Sequence, residues 1–141
     1  MKKELKHILL IDDDEATNFL HELLLKGLFP EVQISFAWNG QEAIDFLKAV
    51  KNSEDLPDLI FLDINMPVMN GWEFLKEYEA LSKDFYKSVV AFMVTSSLNK
   101  NDKRTADDSA SIDLYLPKPI TEEALEKVCK EHFGMVDGIR Q

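Results

Sequence analysis

Apolar residues along this chain fall into short blocks whose periodicity keeps changing. Ile8-Leu9-Leu10-Ile11 is an uninterrupted apolar run stopped by Asp12, Asp13 and Asp14, and it reads as a buried strand. Ala16, Phe19, Leu20, Leu23 and Leu24 follow at helical spacing, with Gly27 and Pro30 marking the end of that helix. Val32, Ile34 and Phe36 alternate with Gln33, Ser35 and Ala37, the pattern of a half-buried edge strand. Asn39 opens a second helix with Glu42 as its capping partner, and Ala43, Ile44, Leu47 and Val50 form its inward face.

The alternation continues after Pro57. Leu59-Ile60-Phe61-Leu62 is apolar on both faces, as a central parallel strand covered by helices must be. Asn70 and Glu73 repeat the capping pattern before a helix with Phe74, Leu75, Tyr78 and Leu81 on one side. Val89 to Val94 is a further buried strand, and Ile112 to Leu116 a last short one. Between them, Leu98 to Ala110 has only Leu98, Ala106 and Ala110 to bury, which predicts a weak fourth helix. Thr121 begins the final helix, burying Leu125, Val128 and Phe133. Five strands alternating with five helices imply a doubly wound α/β sandwich around a parallel sheet. The order 2-1-3-4-5 is the expectation chosen among the known doubly wound topologies; the pattern alone does not impose it.

Composition narrows the function more than the fold. A chain of 141 residues, 45% apolar and 30% charged, suits one globular domain, expected here as residues 1–141 with a core from about 6 to 134 and a short tail. The N-terminal apolar run is only Ile8 to Ile11 and meets aspartates where a signal peptide needs small residues. No run approaches the roughly 20 residues of a membrane span, so neither export nor membrane insertion is expected, and the location expected is cytoplasmic. Cys129 is the sole cysteine, which excludes an internal disulfide and a cysteine-rich metal site and leaves a small core or boundary residue. A net charge of −10 argues against direct binding of nucleic acid and suits cations or a basic partner surface. His7, His21 and His132 read as surface or helix-flank positions, since none stands in a phosphate-carrying motif.

The candidate chemistry collects at one edge. Asp12, Asp13 and Asp14 follow the first strand, Asp63 the third, Thr95 the fourth and Lys118 the fifth. The carboxyl edge of such a sheet is where ligands bind. Singly, each residue has an ordinary explanation: Asp13 or Asp14 as a helix cap, Asp63 as a loop-start aspartate, Thr95 as a strand end, Lys118 as a solvated lysine. Together they point to a site. Like carboxylates 4 Å apart repel by about 4 kcal/mol at an effective dielectric near 20, so the cluster must hold a cation, take up protons or pair with a base. Lys118 offsets one charge. A hard divalent ion with oxygen ligands suits the rest, with Mg²⁺ the default beside phosphate, whereas zinc lacks a Cys/His cluster.

Four segments in order, ILLIDDDEAT, DLIFLDINMPVMNG, VTSS and YLPKPI, resemble the receiver domain of bacterial two-component response regulators over nearly the whole chain. LDINMPVMNG is the most specific of them. The resemblance implies a flavodoxin-like fold in which Asp63 is the phosphoacceptor, attacking the phosphohistidine of a sensor histidine kinase or histidine phosphotransfer protein. It implies Mg²⁺ held by Asp13, Asp63 and the backbone carbonyl of Asn65, with Asp12 most often acting through a metal-bound water. Lys118 would pair with a phosphoryl oxygen, and Pro119 would follow it through a cis peptide. Thr95 is implied as the switch hydroxyl, with Ser96 as the small residue beside it, and Tyr115 as the aromatic that turns inward. The face carrying the fourth helix, fifth strand and fifth helix would then bind a downstream protein.

Departures from the family pattern are modest. Asp14 is an extra acid suited to capping, Pro117 precedes the lysine, and Lys51 to Asp55 lengthens one connection. The chain end suggests a stand-alone receiver that catalyses only its own phosphorylation and dephosphorylation. A turnover phosphatase of the aspartate-nucleophile kind would show D-x-D-x-[TV], which Asp12, Asp14 and Ala16 miss at the last position. A nucleotide-binding relative would show a Gly-rich loop after the first strand, where aspartates stand instead.

Overall fold

The computed structural model describes residues 4–63, 69, 71–81, 89–94, 114–117 and 119–133, with 53, 89–94, 114, 115 and 117 as backbone only. Within them, β1 (His7–Ile11) leads to α1 (Glu15–Leu28), β2 (Gln33–Ala37) and α2 (Gly40–Ala49). A 3₁₀ turn (Ser53–Asp55) precedes β3 (Leu59–Asp63) and α3 (Gly71–Leu81), then β4 (Val89–Val94) and β5 (Leu114–Pro117). The last helix, α4 (Glu122–His132), is the fifth of the sequence expectation, and the stretch 98–110 expected to form the fourth lies outside the described residues.

All four strand pairings are parallel, and the five strands run in the order β2-β1-β3-β4-β5. β1 and β3 are buried at every position, which explains their unbroken apolar runs: helices cover both faces. Alternate side chains divide between two cores because the strand period is two. Ile8, Leu10, Leu59 and Phe61 pack with Leu25 and Phe29 from the α1 side and with Leu125, Val128 and Phe133 from the α4 side. Leu9, Ile11, Ile60 and Leu62 pack with Ala43, Ile44 and Leu47 of α2 and with Phe74, Leu75 and Tyr78 of α3. Each such fully buried leucine contributes about 2 kcal/mol by removal from water.

Side-chain caps set the helix starts. Asp14 accepts from the Ala16 N–H, Asn39 from Glu42 N–H at 2.8 Å, and Thr121 from Ala124 N–H at 3.1 Å. Glu42 returns a bond to the Trp38 N–H at 3.0 Å, one residue earlier than the reciprocal partner of a capping box. The Asn70 cap lies outside the described residues. Gly40 is required by close approach: a Cβ there would stand 2.8 Å from the Met69 carbonyl oxygen, which accepts the Gly40 N–H at 3.2 Å. That contact ties the segment after β3 to the start of α2.

The packing of α1 departs from its apolar pattern. Phe19, Leu20 and Leu23 are more than half exposed, while Asn18, His21 and Leu25 are the buried residues. Burial of Asn18 and His21 is tolerated because both hydrogen-bond backbone groups: Asn18 Nδ2 donates to the Asp12 carbonyl at 2.9 Å, and His21 Nε2 accepts the Ile120 N–H at 3.1 Å. His7 and His21 are therefore core residues, contrary to the surface reading of the sequence. Cys129 is buried as expected, and desolvation pushes its thiol up to about 11.

Candidate metal centre

β1 ends where aspartates interrupt the apolar run, yet its pairing continues one residue further, with Asp12 N–H donating to the Ala37 carbonyl at 3.1 Å. Asp12 Oδ1 then accepts the Asp14 N–H at 2.9 Å, a side-chain turn that bends the chain into α1. Asp14 points into the helix start, where it also accepts the Thr17 hydroxyl. Its role is thus capping, as expected, and Asp13 is left exposed at the mouth of the site.

Asp63 is the last residue of β3 and only 4% exposed, with Asp12 fully buried beside it. Parallel register pairs Ile11 with Leu62, so the next residues of the two strands, Asp12 and Asp63, emerge together. The strand order reverses between β1 and β3, since α1 covers one face and α2 the other. This is the switch point at which a crevice opens in a doubly wound sheet. One carboxylate oxygen each from Asp12, Asp13 and Asp63 lies within 4.8 Å of the others.

The donor set suits a hard cation. Oxygens around an octahedral Mg²⁺ at about 2.1 Å stand about 3.0 Å apart when adjacent and about 4.2 Å when opposite, so carboxylates within 4.8 Å of one another can reach one ion by shifts of about 1 Å or through a metal-bound water. An all-carboxylate set disfavours zinc, as read from the sequence.

Of the other expected residues, Asn65, Thr95, Ser96 and Lys118 lie outside the described residues, as does the side chain of Tyr115. Met93 pairs with Asp63, and Val94 with Pro117, so the carboxyl ends of β4 and β5 lie at the same sheet edge as Asp63. Pro119 is exposed, and the peptide that joins it to Lys118 involves a residue outside the described set. Sequence reasoning missed Asn18 and His21, whose buried bonds hold the Asp12 carbonyl and the Ile120 amide. A signal was present: Asn18, His21, Leu25 and Leu28 form their own 3-4-3 stripe, masked by the more apolar row beside it.

A parallel doubly wound sheet with an acidic crevice at its switch point defines a class of ligand-binding α/β domains. Residues 8–130 match the response regulator receiver domain, and the chain belongs to that family, the receivers of two-component systems. It is 32% identical over 91% of its length to the sensor histidine kinase CheAY of Helicobacter pylori, of which it covers 15%. It is 31% identical over 84% of its length to the response regulator MprA of Mycolicibacterium vanbaalenii, covering 46% of that protein. The chain thus spans less than half of either relative. Among solved structures, a two component response regulator from Cytophaga hutchinsonii superposes with a TM-score of 0.75 at 31% identity, covering 92% of this chain and 97% of that one. The receiver domain of yeast Ssk1, solved with the histidine phosphotransfer protein Ypd1, gives 0.71 at 26% identity, covering 93% of this chain and 90% of that one. Among the described residues, no helix is long and apolar enough to cross a membrane.

Proposed function

We propose that this receiver takes a phosphoryl group from a phosphohistidine onto Asp63 and thereby changes its protein-binding surface. The observation that carries this reading is the meeting of Asp12, Asp13 and Asp63 at the β1–β3 switch point, with Asp63 buried at its strand end. An Asp63 carboxylate oxygen attacks phosphorus, the P–N bond breaks, and the imidazole leaves with the electron pair and gains a proton. The product is an acyl phosphate. Asp12, Asp13, Asp63 and the Asn65 carbonyl would hold Mg²⁺, which when bound neutralises charge between the carboxylates and the incoming anion. Lys118 would pair with a phosphoryl oxygen, so that most of the catalysis is positioning and charge balance.

The output follows as a population shift between two surface arrangements. Thr95 would hydrogen-bond the phosphoryl group and Tyr115 would turn inward, changing the face of 98–110, β5 and α4 for a downstream protein. The donor is a sensor histidine kinase or a histidine phosphotransfer protein; the likeness to the Ssk1 receiver solved with Ypd1 supports that class. The chain catalyses its own modification and is not a turnover enzyme.

Intact mass after incubation with acetyl phosphate tests the reading. One Mg²⁺-dependent, base-labile phosphate on the wild type and none on Asp63→Asn is the expected result. No adduct on the wild type, and no binding of a beryllofluoride mimic either, would leave a binding module that works without phosphorylation.

A further inference from the structure

On the phosphoryl-accepting reading of the pocket, we propose that His21 is a positioning residue: its bond to the Ile120 N–H sets the lysine arm of the site against α1. His21 is 1% exposed, and the bond joins residues 99 apart in sequence at 3.1 Å inside the core. The donor is placed to matter. Pro117 and Pro119 have no N–H, so Ile120 supplies the first backbone donor after Lys118. Ile120 is itself buried, and chain geometry keeps the Cα of Lys118 within about 7 Å of its own. Anchoring Ile120 therefore restricts where Lys118 can stand.

The same face of the helix holds the other arm. Asn18, three residues before His21, donates to the Asp12 carbonyl at 2.9 Å. Residues at this spacing are neighbours on a helix, about 5–6 Å apart. α1 thus works as a rigid spacer, with one buried side chain gripping the segment that bears Asp12 and Asp13 and the next gripping the segment that follows Lys118. Since Nε2 accepts, the neutral ring carries its proton on Nδ1. A side chain with an acceptor at similar reach, such as glutamine, replaces the function; an apolar one of similar volume does not.

His21 acts on the phosphoryl-binding arm and not on the carboxylates, so its loss slows phosphorylation without weakening the metal. The experiment compares wild type, His21→Leu and His21→Gln by labelling with acetyl phosphate at saturating Mg²⁺, and measures Mg²⁺ affinity separately by calorimetry. A wild type that takes no label overturns the phosphoryl-accepting reading and this role with it. With the wild type labelled, His21→Leu is expected to react about 10-fold more slowly, the scale of a small misplacement, with its Mg²⁺ Kd within about twofold. His21→Gln should recover most of the rate. Equal rates for His21→Leu and wild type overturn the positioning role. A parallel loss of rate and Mg²⁺ affinity that glutamine does not relieve also overturns it, marking His21 as merely structural. Should His21→Leu not fold, His21→Asn, polar but too short to reach Ile120, is held to the same outcomes.

Discussion

At the amino edge of the sheet, the buried Asp58 carboxylate accepts the backbone N–H groups of Lys6 at 2.8 Å and His7 at 3.0 Å. Its own N–H donates to the His7 carbonyl at 2.8 Å, and the His7 ring meets Ser35 Oγ at 2.8 Å and the Asp55 carbonyl at 3.2 Å. At the carboxyl edge, Asp12, Asp13 and Asp63 instead bring carboxylate oxygens within 4.8 Å of one another. The same residue type thus has two uses. An acid facing backbone donors closes off strand ends and stabilises the fold. Acids facing each other raise the energy of the empty site and lower it again when a cation arrives.

Replacing the structural acid should have the largest effect on stability. Asp58→Ala leaves the buried His7 N–H and the part-buried Lys6 N–H without their acceptor and is expected to cost about 3 kcal/mol in urea unfolding. Labelling of Asp63 per folded molecule should stay at the wild-type level. A variant as stable as wild type would erase the distinction between the edges.

The opposite sign is expected at the other edge. Asp12→Asn preserves the acceptor for the Asp14 N–H and removes one of three clustered charges. Without divalent ions it should raise stability by about 1–2 kcal/mol, since like charges at this separation repel. Mg²⁺ at 100 times its Kd should stabilise the wild type by about 2.7 kcal/mol, and the variant by much less at the same concentration. Thermal melts with and without chelator check both statements.

The smallest expected effect is a pH slope belonging to His7. Burial holds its imidazole below the usual 6.5, against the opposing pull of the Asp55 carbonyl and the Asp58 and Asp55 charges. The fold therefore favours the neutral ring. Its contribution is complete above the unfolded value near 6.5 and is lost as pH falls from there towards the depressed folded value. His7→Gln should flatten the difference between urea unfolding at pH 7.5 and at pH 5.5. An unchanged slope would show that the amino edge tolerates a charged ring.

The histidines also show where reading the chain fails. Blocks such as Ile8–Ile11 and Leu59–Leu62 identify themselves, because a strand covered on both faces needs apolar residues at every position. The caps Asp14, Asn39 and Thr121 are equally legible, since a helix start needs an acceptor within a few residues. The inward side of α1 is masked by the more apolar row beside it. Its apolar row Phe19, Leu20 and Leu23 faces out, and the polar pair Asn18 and His21 faces in. Hydrophobicity ranks residues by their cost in water, whereas burial of a polar side chain depends on its partner, and the partner of His21 stands 99 residues away.

Sequence by itself determined the alternation of strands and helices, the caps, and the gathering of acids after the first and third strands, because each depends on residues close together in the chain. Tertiary structure decided the rest. Only the parallel register of β1 with β3 brings Asp12 to Asp63, and only packing of α1 on the sheet and on the segment before α4 turns His21 from a helix-flank residue into a buried clamp. These are contacts between distant segments, whose partners are chosen by how the whole core closes.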